Sequence, residues 1–104
     1  MSESVDPFGA LGDPNRRAIV EIVSRGEQSV QTIADQLPIS RPAVSRHLRV
    51  LKTAGLVVER PDGTRNLYRL DDAGLVEIRR YMEQVWGQAV SRFKLYVENT
   101  TGGQ

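Results

Sequence analysis

The sequence predicts a mainly α-helical chain with one small β-hairpin, in the order α-α-α-α-β-β-α. Three observations predict it. Two short helical patterns meet at the tight link Leu37-Pro38-Ile39-Ser40. Two short strand-like runs then flank the turn signature Pro61-Asp62-Gly63-Thr64, in which Pro presets φ and Gly supplies φ > 0. A closing stretch carries apolar residues at steps of three and four, the helical period.

The elements follow in order. Asp6-Pro7 reads as an N-cap with Pro at the first helical position, opening a short helix to about Leu11. Asp13-Pro14 repeats the signal, Ala18, Ile19, Ile22 and Val23 recur at helical spacing, and Gly26 closes the segment. Ser29 caps a third helix through Val30, Ile33, Ala34 and Leu37, which Pro38 stops. Ser40 caps a fourth, with Val44, Leu48 and Leu51 on one face and Gly55 at the left-handed C-terminal position. Leu56–Arg60 and Arg65–Leu70 form the hairpin. Asp71 or Asp72 then caps a last helix to about Glu98, a better account of these carboxylates than an acid-base pair.

With 104 residues the chain is expected to be one domain, residues 1–98, with a flexible tail at 99–104. A 39% apolar and 26% charged composition is that of a soluble globular protein and excludes disordered or collagen-like readings. The absence of Cys removes disulfides, thiolate metal sites and Cys nucleophiles, and a single His removes most His-based metal clusters. No run approaches the ~18–20 apolar residues of a membrane span. The first residues lack the basic start and apolar stretch of a signal peptide, so a cytoplasmic location is expected and no membrane partner. One His, no Cys, no Gly-rich phosphate loop after a strand and no credible triad leave no basis for an enzyme and call for no cofactor.

The net charge of +1 hides an asymmetry. Residues 40–69 hold seven basic and two acidic residues, a local +5, against −4 for the rest. A local basic surface, rather than a high overall pI, is what nucleic-acid binding needs. Two short helices with a tight turn, the second rich in basic residues, read as a helix-turn-helix, and the hairpin that follows makes it a winged helix. With Val44, Leu48 and Leu51 inward, Arg41, Ser45, Arg46 and Arg49 turn outward. A helix fits the major groove of duplex DNA, and residues near its N-terminus reach base edges. The recognition helix is thus placed at about 40–54 and the wing at about 56–70. Ser40 and the free N–H groups of the helix start suit a phosphate, and Arg46 and Arg49 suit guanine or phosphate. Arg60 and Arg65 are expected to straddle the wing turn and touch the adjacent minor groove or its phosphates.

Other positions carry two readings. Pro42 stiffens the first turn, or its ring touches a thymine methyl. His47, between outward Arg46 and inward Leu48, is read first as a helix-orienting contact and second as a phosphate contact. Arg16 and Arg17 start a helix where positive charge is disfavoured by the dipole, which hints at a phosphate role beside the commoner reading of a solvated surface.

The last helix carries Leu75, Ile78, Met82, Val85, Ala89, Phe93 and Tyr96 on one stripe, widened by Tyr81, Trp86, Val90 and Val97. A small core cannot cover so broad a face, and the surplus calls for a partner. Symmetry makes that partner a second copy, joined through this helix and the first one over Phe8, Leu11, Tyr81, Met82, Val85, Trp86, Ala89, Val90 and Phe93.

The string from Ser40 to Val57, Ser-Arg-Pro-Ala-Val-Ser-Arg-His-Leu-Arg-Val-Leu-Lys-Thr-Ala-Gly-Leu-Val, resembles the recognition helix and first wing strand of ArsR/SmtB-type winged-helix repressors. Leu11–Val20 resembles the opening of that family's second helix, and Gly63 with Tyr68-Arg69-Leu70 its wing, so the likeness spans about Phe8 to Val97. The resemblance implies a homodimeric repressor on an inverted-repeat operator in double-stranded DNA, relieved by a signal. Founding members sense metal through Cys pairs on the third helix or Asp/His ligands on the last. Here Ser29–Leu37 holds neither Cys nor His and the last helix holds no His, so no inducing metal is expected. An unidentified small-molecule inducer, or none, is left. The competing reading is a winged-helix protein–protein interaction module whose basic face is incidental; the outward Arg pattern argues against it.

Overall fold

Each helix begins where a short polar side chain can accept from the free N–H groups of its first turn. The computed structural model describes residues 6–102, apart from the side chains at 90 and 99–102. Its elements are α1 (Pro7–Ala10), α2 (Pro14–Ser24), β1 (Gln28–Ser29), α3 (Val30–Ala34), α4 (Arg41–Thr53), β2 (Val57–Asp62), β3 (Arg65–Leu70) and α5 (Asp72–Gly102). Asp6 accepts from Phe8 and Gly9, Asp13 from Asn15 and Arg16, Ser29 from Thr32 and Ser40 from Ala43. Asp71 caps α5, its Oδ1 accepting from the Ala73 N–H at 3.0 Å. At the end of α4, Gly55 takes φ 79°, which lets its N–H reach the Lys52 carbonyl (3.0 Å) and the Leu56 N–H reach that of Leu51 (2.9 Å).

Four features correct the sequence expectation. Gln28–Ser29 is a strand, pairing antiparallel with Tyr68 and Leu67 of β3 to give a sheet of order β1-β3-β2. Two residues carry no readable period, so only tertiary pairing reveals them. Helix α3 ends at Ala34, not Leu37: Gln36 and Leu37 donate to Ile33 and Ala34, three residues back. That tighter turn follows from Pro38, which disfavours helical geometry at the residue before it. The hairpin turn is Gly63-Thr64, and Pro61 and Asp62 belong to β2, opposite Asn66 and Arg65. Strand β2 is an edge, where a missing N–H is tolerated. With φ 66° at Gly63 and no positive φ at Thr64, the loop follows the II′ pattern that suits hairpin twist. Finally, α5 runs to Gly102, four residues past Glu98, with no Pro to interrupt it.

The core lies where α2, α3 and α4 meet the sheet. Ile19, Ile22 and Val23 of α2, Ile33 of α3, and Val44, Leu48 and Leu51 of α4 are buried with Leu56 and Val57. The three α4 positions follow the i, i+4, i+7 spacing of one helical face. Burying one such side chain contributes about 1.5–3 kcal/mol. This core fixes α4 in rotation, and the rotation determines which of its residues face solvent.

Helix α5 leaves the core after about two turns. Leu70 and Ile78 pack against it, and the Tyr81 ring meets Phe8 of α1 with centroids 4.7 Å apart at 55°. Beyond that point the helix projects. The chain measures 65 × 34 × 21 Å with a radius of gyration of 18.1 Å. A compact chain of this length would have a radius of about 13 Å.

Candidate nucleic-acid interface

Ser40 ends the link from α3 and caps α4, so the N-terminal turn of α4 is presented at the surface. Because Val44, Leu48 and Leu51 face inward, Arg41, Pro42, Arg46 and Arg49 are exposed, with Ser45 and His47 half-buried between. Arg41 donates from Nη1 to Gln31 Oε1 of α3 at 3.3 Å, which ties the two helices at their shared corner. Neither Arg46 nor Arg49 forms an ion pair among the described residues. Two guanidinium groups with open donors on one helix face are suited to bidentate contacts with guanine or phosphate.

The wing stands beside this face. A cleft of about 260 Å³, lined by Ser29, Val30, Gln31, Arg41, Thr64, Arg65 and Asn66, separates its tip from the starts of α3 and α4. A second, of about 230 Å³, lies between α4 and the wing, lined by Ser45, Leu48, Arg49, Lys52, Glu59 and Tyr68. Arg65 stands next to the turn, at 3.3 Å from Asp62. Arg60 does not straddle the turn with it. It pairs in register with Leu67, two rungs lower, and its guanidinium grips Glu27 before β1 through two bonds of 2.8 and 2.7 Å. That grip holds the Glu27 carboxyl below its ordinary range and raises Arg60 above its own.

Sequence reasoning passed over the acidic side of this surface. Glu59 accepts from Lys52 Nζ (2.7 Å), Asn66 Nδ2 (2.6 Å) and the Tyr68 hydroxyl (2.9 Å). The Lys52 and Tyr68 bonds keep its carboxyl below the usual glutamate range. Burial, then the bond to Glu59, pushes the Tyr68 phenol up to about 12. Asn66 and Tyr68 stand seven and nine residues beyond Glu59 in the sequence, and the pairing of β2 with β3 brings them to one carboxylate.

Arg16 and Arg17 have a local role. Arg16 Nε donates to the Ala10 carbonyl (2.6 Å) and Arg17 Nη1 to that of Leu11 (2.8 Å). These cations satisfy carbonyls at the end of α1, which offsets their unfavourable place at the start of α2. His47 lies close enough to α2 to contribute to the lowered pKa of Asp13, after the dominant bond from the Arg16 N–H. Among the described residues no group of three or more His, Cys, Asp or Glu side chains is placed to hold a metal ion. No helix among them is long and apolar enough to cross a membrane.

The apolar face of α5 is uncovered. Phe8, Tyr81, Met82, Val85, Trp86, Ala89 and Phe93 are exposed, Trp86 by 56% and Phe93 by 68%, while Leu11 is half-buried against the core. Val90 is also on the expected interface, but its side chain lies outside the described residues. Val76 and Leu95, which the sequence reading left off the stripe, are exposed as well.

The profile of the family described as "bacterial regulatory protein, arsR family" matches residues 13–58, from the cap of α2 into β2. The chain is 47% identical over 90 residues to HTH-type transcriptional regulator Rv2034 of Mycobacterium tuberculosis, covering 86% of this chain and 84% of that one. A crystal structure described as a "possible transcriptional regulator for arsenical resistance" is 40% identical, with a TM-score of 0.76 over 88% of this chain and 95% of that one. A solution structure from Mycobacterium bovis, a homodimeric winged helix-turn-helix DNA-binding domain, is 28% identical, with a TM-score of 0.64 over 78% and 75% of the two chains.

Proposed function

This chain belongs to the arsR family and is a DNA-binding transcriptional regulator with a winged helix-turn-helix fold, and from that premise we propose that it acts as a homodimeric repressor reading an inverted-repeat operator. One observation carries the reading: α4 offers Arg46 and Arg49, paired with no carboxylate among the described residues, on the face its buried side fixes outward. Each protomer lays α4 in a major groove, with Ser40, Arg41, Pro42, Ser45 and His47 on or beside the contact face. Arg65 at the wing tip serves the neighbouring phosphates or minor groove. Arg60 reaches DNA only by exchanging Glu27 for a phosphate, so its share in binding is the smaller. The homodimeric state of the Mycobacterium bovis domain supports pairing of this chain with a second copy, and the exposed apolar residues of α5 with Phe8 of α1 are the surface assigned to it. Two α4 helices related by a two-fold axis read half-sites about one helical turn apart, or a multiple of it. Repression follows from occlusion of a promoter that overlaps the operator.

The family relationship gives no support to an enzyme and does not favour a pure protein–protein module. With no Cys in the sequence, a thiolate metal site is not the control; a relieving signal, where one operates, is a small molecule of another class. The test is binding to duplexes selected from a random pool by the protein. Enrichment of a palindrome over scrambled duplex, with affinity falling steeply with salt, is the expected result. Equal affinity for selected and scrambled duplex at moderate ionic strength would overturn it.

A further inference from the structure

Only two acidic residues, Glu59 and Asp62, stand in the basic stretch 40–69. On a surface that meets phosphates a carboxylate repels the ligand, so its presence there needs a reason. Asp62 pairs with its neighbour Arg65 at the wing tip. Glu59 does something different, because its three donors come from separate places. Lys52 is in the last turn of α4, whereas Asn66 and Tyr68 are on β3, across the hairpin. One carboxylate therefore ties the recognition helix to both strands of the wing. The next residue, Arg60, points to the other face of the strand and grips Glu27. The wing is thus held on both faces, and Glu59, Lys52 and Tyr68 line the cleft between α4 and the wing together with Ser45 and Arg49.

We propose that Glu59 is a positioning residue for DNA recognition, setting the angle between α4 and the wing through Lys52, Asn66 and Tyr68. The inference rests on the DNA-binding function proposed above. Helix and wing engage different parts of the duplex, so both engage at once only if their relative angle suits the groove spacing. Holding that angle before binding removes an ordering cost that would otherwise be met by the complex. Tyr68 and Glu59 keep their donor and acceptor states at neutral pH, so the tie persists there.

The sign of the effect separates positioning from simple charge. If Glu59 acted only as a negative charge, Glu59→Ala would strengthen binding to every duplex alike. As a positioning residue its loss leaves scrambled duplex bound as well as before, or better, and lowers the preference for the selected sequence. The experiment measures the wild-type chain, Glu59→Ala and Tyr68→Phe on a duplex selected by the wild-type chain and on scrambled duplex of equal length. The selected-to-scrambled ratio is expected to fall about tenfold in Glu59→Ala, equivalent to about 1.4 kcal/mol. Tyr68→Phe, which changes no charge, lowers it by a smaller factor, and the double variant loses less than the two singles combined. Circular dichroism checks the fold of each, and if Glu59→Ala does not fold, Tyr68→Phe decides alone. An unchanged ratio in the folded variants overturns the inference and leaves the proposed function standing. A wild-type chain with no preference for the selected duplex overturns that function, and the inference with it.

Discussion

Arg46 and Arg49 owe their position to residues that never touch solvent. Val44, Leu48 and Leu51 are fully buried, and the helical period then turns the two arginines outward. Replacing either with Ala removes donors without opening a cavity. Arg46→Ala and Arg49→Ala are each expected to weaken binding to the selected duplex by about 1–3 kcal/mol, with helicity and melting temperature nearly unchanged. Titration of both variants checks this, and full affinity in both would remove α4 as the reading element. The carboxylates respond to pH. Glu27 is held below the ordinary 4.5 by Arg60, and Glu59 by Lys52 and then Tyr68. A carboxyl whose folded-state pKa is lowered contributes stability above its unfolded value and loses it as pH falls through the folded one. Melting temperature is therefore expected to hold from neutral pH to near 4.5 and to drop below it, less steeply in Glu27→Gln and Glu59→Gln. Identical acid limits in wild-type and variants would remove these two residues from the acid transition.

Between elements, one tight junction joins the end of α4 to the start of α5. Gly74 packs directly on Gly55: a Cβ there would collide with the Gly55 carbonyl oxygen. The Asp71 N–H donates to the Leu56 carbonyl at 2.9 Å, which fixes the same junction. Gly74→Ala is expected to destabilise the fold by about 1–3 kcal/mol, the usual cost of overpacking, despite the better helix propensity of Ala. Chemical denaturation measures the change, and a neutral or stabilising result would mean the junction opens without cost. The junction also joins α4, the helix proposed to read DNA, to the helix with the exposed apolar face. Elements announced by caps and period were legible: Asp6, Asp13, Ser29 and Ser40 each cap where a Ser or Asp precedes an apolar pattern. Strand β1 was not, because two residues gain their identity only by pairing with Leu67 and Tyr68.

At the scale of the molecule, an elongated shape and a long apolar helix face belong together. The 31 residues of α5 span about 46 Å at 1.5 Å per residue, the larger part of the 65 Å length, and its Val85 and Trp86 are exposed. A second copy through α1 and α5 would cover this face and set the separation of two α4 helices. Val85→Asp places a charge in that face while leaving the protomer core intact. The expected outcome is sedimentation as an 11.6 kDa monomer and a loss of about two orders of magnitude in affinity for a palindromic duplex, because two linked half-site contacts become independent. A variant that stays dimeric, or a monomer that binds the palindrome at full strength, would move the interface elsewhere.

The sequence alone determined what depends on near neighbours. Helix starts come from a cap and the turn that follows it, and α4 faces outward with arginines because its apolar positions recur every three or four residues. The surplus of apolar residues after Leu75 was likewise visible as a count against a small core. Tertiary structure decided what depends on residues far apart in the chain. Arg60 was legible as a cation near a turn, but only the fold sets it against Glu27, thirty-three residues away, and so takes it out of the free charge of the wing. Glu59 was legible only as an acid in a basic stretch, and the hairpin register made it the meeting point of three donors. Charge and periodicity are properties of local sequence, whereas the partner of a side chain is set by which elements pack together.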